Sequence, residues 1–128
     1  MFRLDFTSRV LGKDAMHKLR RHEVTQTLRS ENSGIAIATG NGSLKIGDIF
    51  EVALDKEILG HAELVAYNGI RWGRLDTDDA HRGGFHNLAE LGASLIKAGY
   101  RFQPIEEYDL YRFQFSWVVQ ELEAAEIK

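Results

Sequence analysis

Ile49-Phe50-Glu51-Val52-Ala53-Leu54, Asp55-Lys56-Glu57 and Gly60-His61-Ala62-Glu63-Leu64-Val65-Ala66-Tyr67 form the stretch that decides the fold. The first run alternates, with Phe50, Val52 and Leu54 on one side. The second turns the chain and the third returns it, which is the pattern of a β-hairpin. Asn68-Gly69 then reads as a further turn. Working outward, Phe2 to Thr7 alternates as a half-buried strand, and Val24-Thr25-Gln26-Thr27-Leu28-Arg29 is β-prone and polar. Ile35-Ala36-Ile37-Ala38-Thr39 reads as a short apolar strand. Leu110 to Val118 is the clearest strand of all, with Tyr111, Phe113, Phe115 and Trp117 on one face.

Helical signals fall between these strands. Asp14 is placed to cap a short helix with Ala15, Met16 and Leu19 as its apolar stripe. Asp76-Thr77-Asp78-Asp79-Ala80 opens another, which Gly83-Gly84 stops. Asn87, with Glu90 three residues on, caps a longer helix with Leu88, Leu91, Leu95 and Ile96 as its buried stripe and Gly99 as its end. Pro104 falls in a loop. The expected architecture is α+β: a small, mostly antiparallel β-barrel flanked by two to three helices. Residues 1–118 form the domain, and 119–128 an acidic tail that is helical or frayed.

A chain of 128 residues, 44% hydrophobic and 27% charged, buries a real core in one domain. It has no cysteine, which excludes a disulfide scaffold, a thiolate metal site and a cysteine nucleophile. No apolar run is long enough for a membrane span, and Met1 to Asp5 carries no secretory signal, so the protein is expected in the cytoplasm. The net charge of −3 is unevenly spread. Residues 1–45 hold eight Lys/Arg against four acids, a balance of +4, and residues 46–128 hold eight against fifteen, a balance of −7. A basic segment on an acidic chain suits an anionic ligand, and equally a solvated helix face.

Gly-x-x-x-x-Gly-Lys-Ser/Thr, Gly-x-Gly-x-x-Gly and Gly-x-Ser-x-Gly motifs are all absent. His17/His22 and His81/His86 are five apart, off the three-or-four spacing of helical ligand pairs, and Asp78, Asp79 and His81 fit a capped surface helix, so no metal or cofactor is expected. Asp48, after Gly47, reads as a turn carboxylate bonded to nearby amides. The informative segment is Lys18 to Arg29. Lys18 and Arg21 share a helix face, and Thr25, Thr27 and Arg29 share a strand face that suits a wet cleft. Arg29 can fork onto a phosphate or a base edge. Arg71, Trp72 and Arg74 put an indole between guanidinium groups, a combination that stacks on an unpaired base or packs on a core.

In order, four segments resemble the ASCH domain family of the PUA-like superfamily. They are Thr25 to Arg29 after a helix; Lys45-Ile46-Gly47-Asp48-Ile49-Phe50; Gly60-His61-Ala62-Glu63-Leu64 leading to Leu75 to Ala80; and Gly84-Phe85 with Asn87 to Leu91 and the aromatic closing strand. The likeness covers about Phe2 to Val118. Aligned on Arg29, the family signature Gly-x-Lys-x-x-Glu-x-Arg falls on His22, Val24, Thr27 and Arg29, so the arginine alone is shared. The resemblance implies a PUA-like barrel whose cleft takes RNA or a nucleotide-like ligand. Some members are amidohydrolases that deacylate a modified nucleoside, with a Lys where Val24 stands, a Thr where Thr27 stands, and a Glu before the turn that here reads His81-Arg82-Gly83-Gly84-Phe85. This gives an alternative expectation: a hydrolase with Thr27 as nucleophile and His22, Glu23 or Glu63 as its base.

Overall fold

The fold was obtained as a computed structural model, which describes residues 1–101 and 110–119. Pro104 and the tail beyond Val119 lie outside the described residues. Among the described residues five strands form one curled sheet: β1 (Arg3–Phe6), β2 (Gln26–Arg29), β3 (Ile49–Leu54), β4 (Glu57–Ile70) and β5 (Leu110–Trp117). Their order is β1-β3-β4-β5-β2. The pairings are antiparallel except β1 with β3, which runs parallel. Since β1 and β2 end the series and do not pair, the sheet is a half-barrel and not the closed barrel expected from the strand pattern.

Five helices accompany it among the described residues: α1 (Ser8–Leu11), α2 (Ala15–Arg20), α3 (Gly34–Gly40), α4 (Thr77–Arg82) and α5 (Leu88–Lys97). That exceeds the two or three expected, and α3 replaces a predicted strand. Period two would put Ile35 and Ile37 on one face. Helical spacing instead buries Ile35 and Ala38, three apart, and leaves Ile37 55% exposed. Ser33 fixes the start of α3 by accepting from the Ala36 amide at 3.4 Å. The short α1 escapes periodicity altogether. Its start is tied down across the chain, where Asp55 accepts from the Ser8 amide at 3.1 Å and the Ser8 hydroxyl at 2.6 Å. Asp14 makes no side-chain cap bond to α2.

The hairpin of β3 and β4 forms as read, with Asp55 and Lys56 at positive φ in its tight turn. Asn68-Gly69, however, is strand and not turn, paired with Arg112 and Tyr111. A bulge at Val65 explains why alternation misleads there. Leu64 opposes Phe115 and Tyr67 opposes Phe113, so one extra residue resets which face β4 presents.

Two apolar cores result. Inside the curl, Leu4, Phe6, Leu19, Phe50, Val52, Leu64, Phe113 and Phe115 pack together. On the outer face, Leu28, Ile70 and Leu110 of the sheet meet Ala80, Leu91 and Leu95 of α4 and α5. The α5 stripe is therefore narrower than expected: Leu88 and Ile96 are 43% and 65% exposed. Leu88 stands in the first turn, ahead of the sheet contact, and Ile96 points one residue round from Leu95. Among the described residues no helix is long and apolar enough to cross a membrane.

Candidate ligand cleft at the open seam

The gap between β1 and β2 is a cleft of about 270 Å³, walled by these two strands, by α1 and α5, and by Tyr100. Both strands turn backbone groups into it. On β2, the Phe115 amide donates to the Thr25 carbonyl at 2.9 Å, and Gln26 lies opposite Gln114. Antiparallel alternation then bonds Thr27 and Arg29 to β5 and turns the N–H and C=O of Gln26 and Leu28 toward the open side. On β1, the Phe2 and Phe6 carbonyls accept from Glu51 and Asp55 amides at 2.9 and 3.0 Å, so the carbonyl of Asp5 faces outward.

Arg29 spans the seam. Its Nη2 donates to the Asp5 carbonyl at 2.8 Å and its Nε to Thr27 Oγ1 at 2.9 Å. The guanidinium lies 5.2 Å from the centroid of the Phe6 ring. Burial lowers the Arg29 pKa from its ordinary value, against the opposing influence of Tyr100 and Asp5. An arginine nevertheless stays charged at any physiological pH. Its Nη1 has no partner among the described residues, which leaves a charged donor for a ligand. The Tyr100 hydroxyl accepts from the Ser30 amide at 3.0 Å and keeps its own proton to donate.

At the outer end of the cleft, Asp79 is 1% exposed and its Oδ1 takes three bonds: Gln26 Nε2 at 2.9 Å, Arg82 Nη2 at 2.9 Å and Arg112 Nη1 at 2.7 Å. Gln26 Oε1 in turn accepts from Arg82 Nε at 2.8 Å and Gln114 Nε2 at 3.1 Å. Burial opposes ionisation of Asp79, but bonds from Gln26, Arg112, the Asp76 amide and Arg82 outweigh it and hold the carboxyl at about 2. This network pins the edge strand β2 to β5 and α4. By sequence alone Asp79 fits a capped surface helix, yet it is buried. The usable signal was Gln26, Arg112 and Gln114, polar residues on strands that otherwise supply core.

Compared with protein-family models, curated proteins and solved structures, the chain matches none.

The residues picked from sequence are only partly brought together. Thr27 and Arg29 line the cleft in mutual contact. Thr25 precedes β2, donates its amide to the Arg82 carbonyl at 2.8 Å and does not line the cleft. Lys18 sits just outside, its Nζ bonded to the Leu11 carbonyl at 3.2 Å and 5.3 Å from the Phe85 ring centroid. Arg21 is exposed and paired with Glu23 at 3.2 Å. Arg71, Trp72 and Arg74 occupy the turn after β4, where Trp72 packs on the outer core, and none of the three lines the cleft. Tyr111, Phe113, Phe115 and Trp117 belong to the inner core. Asp48 accepts from the Lys45 amide at 2.8 Å, a turn contact of the kind expected.

Among the described residues, none of the bases considered for Thr27 lines the cleft. Thr27 Oγ1 receives a bond from Arg29, which cannot take a proton. His22 stacks on Trp117 with centroids 4.5 Å apart, and His22, Glu23 and Glu63 all stand outside the cleft. Among the described residues no three His, Asp or Glu side chains are grouped to hold a metal ion.

Proposed function

We propose that the chain is an ASCH-like module that binds a nucleotide-like ligand, in RNA or free, in the seam between β1 and β2. The observation that carries this reading is the guanidinium of Arg29. It is held by Thr27, the Asp5 carbonyl and the Phe6 ring, and its Nη1 has no partner among the described residues. A guanidinium in that state recognises a planar acceptor pair on a base edge, or an anion. The outward N–H and C=O of Gln26 and Leu28 add donors and acceptors of the kind that read a base, and apolar walls from Phe6, Leu91 and Leu95 suit its faces. A space of about 270 Å³ lies near the lower limit of ligand pockets, which suits one nucleotide-sized unit and not a duplex. Binding without turnover is the expected behaviour, since none of His22, Glu23 and Glu63 stands at the cleft beside Thr27.

Calorimetric titration of nucleotides and short single-stranded RNA tests the reading. Arg29→Ala is expected to weaken binding by about 1–3 kcal/mol, the value of a bidentate contact. Equal affinity in wild type and Arg29→Ala, with both folded, removes the cleft from consideration.

A further inference from the structure

The seam cleft is not an isolated hollow. A second depression of about 230 Å³ adjoins it, and Val10, Leu11, Phe85 and Ser94 form walls of both. Lys18 stands at this shared wall, since its Nζ is anchored on Leu11 and lies over Phe85. An ammonium has three N–H donors, so two remain after the bond to Leu11. Lys13 and Lys97 complete a basic rim around the second hollow.

The acids of the two hollows offset these cations only in part. Asp79 is held by Arg82 and Arg112, and Asp5 pairs with Arg3 at 3.0 Å. Glu90 accepts from the His86 amide at 2.7 Å and lies 3.2 Å from its ring, and it also feels the charge of Lys18. Asp14 alone lacks a partner among the described residues. In the second hollow three lysines, Lys13, Lys18 and Lys97, still outnumber the two acids, Asp14 and Glu90, and in the cleft Arg29 has Asp5 as its charged neighbour. On a chain of net charge −3, such a local excess of cations is matched by an anion.

We infer that the second hollow is a phosphate subsite, with Lys18 as its fixed donor and Lys13 and Lys97 as its rim. The ligand of the cleft is then a nucleotide, or a nucleotide unit within a single strand, and not a free base or nucleoside. This rests on the reading of the cleft given above. Lysine suits the task because a point charge on a flexible stem follows a phosphate without demanding one orientation, while the planar arginine in the cleft reads the flat part of the ligand.

The test compares the four ribonucleosides, their 5′-monophosphates, a mixed-sequence tetraribonucleotide and inorganic phosphate, by calorimetry and amide NMR shifts. Monophosphates are expected to bind about 10- to 100-fold more tightly than nucleosides, as one or two charge-assisted bonds provide. They should move the Gly12 and His86 amides of the second hollow together with those of β2. Lys18→Gln should bring the ratio of the two affinities close to one. Lys13→Gln, a change at an exposed position, should lower it even if Lys18→Gln fails to fold. A tetranucleotide that binds more tightly than every monophosphate identifies a strand as the source of the phosphate, and equal binding identifies a free nucleotide. If nucleosides shift the β2 amides and bind as tightly as monophosphates, the subsite is overturned while the cleft stands. If no probe moves β2, both are overturned.

Discussion

Arg29 donates to the main-chain carbonyl of Asp5 at 2.8 Å, so the two edges of the half-barrel are joined by a side chain where a barrel would use a strand ladder. That link leaves the edge groups of Gln26 and Leu28 on β2 facing the seam, where the proposed ligand would meet them. It also couples ligand recognition to closure of the fold. Arg29→Met keeps an aliphatic stem near Phe6 but loses the bridge. Chemical denaturation is expected to show a loss of about 1–3 kcal/mol, the range for a hydrogen bond to a charged group and an unsatisfied partner.

Asp79 organises the outer end of the seam. Asp79→Asn leaves Arg82 and Arg112 beside a neutral group, and breaking such a buried pair costs about 3–5 kcal/mol. The pH dependence has a definite sign. The folded carboxyl is depressed from 3.8 to about 2, so its contribution is complete above pH 3.8 and is lost as pH falls through about 2. Denaturation midpoints between pH 4 and 2 should fall more steeply for wild type than for Asp79→Asn.

The outer core separates real from apparent stripe positions on α5. Leu91→Ala and Leu95→Ala should each cost about 2–5 kcal/mol, as expected for buried leucines. Leu88→Ala and Ile96→Ala should stay within about 0.5 kcal/mol, since both side chains are largely exposed. Four urea melts decide this, and equal losses at all four positions would place α5 differently.

Gly84 sits at φ +89, where a Cβ would lie 2.9 Å from Val24 Cγ2 and 3.5 Å from Lys18 Cδ. Gly84→Ala combines an unfavourable backbone state with a contact too close to keep, so a loss above about 1 kcal/mol is expected in thermal unfolding.

These sites differ in how far the sequence discloses them. The hairpin of β3 and β4 and the aromatic strand β5 are legible because Phe50 and Val52, and Phe113 and Phe115, recur at period two in the inner core. The seam pair Thr27 and Arg29 is legible for the same reason: two polar groups on one strand face need a wet surface. Asp79 is not, because a carboxylate three residues after an N-cap looks the same whether it faces water or two arginines from distant elements. Nor is the open edge, since pairing of β1 with β3 in place of β2 is a tertiary choice that no local period encodes. Ile35 to Thr39 misleads because alternating Ile and Ala satisfy a strand and a helix alike, and only the Ser33 cap and the burial of Ala38 separate the two.

The central claim is that a nucleotide-like ligand occupies the seam. It is tested most directly by amide NMR during titration with the ribonucleoside 5′-monophosphates. The amides of Gln26 and Leu28, which face the cleft, should shift most, ahead of Thr27 and Arg29, whose amides bond to β5. Shifts confined to Arg71–Arg74 or to the exposed face of α2, with Gln26 and Leu28 unmoved at saturation, would contradict it.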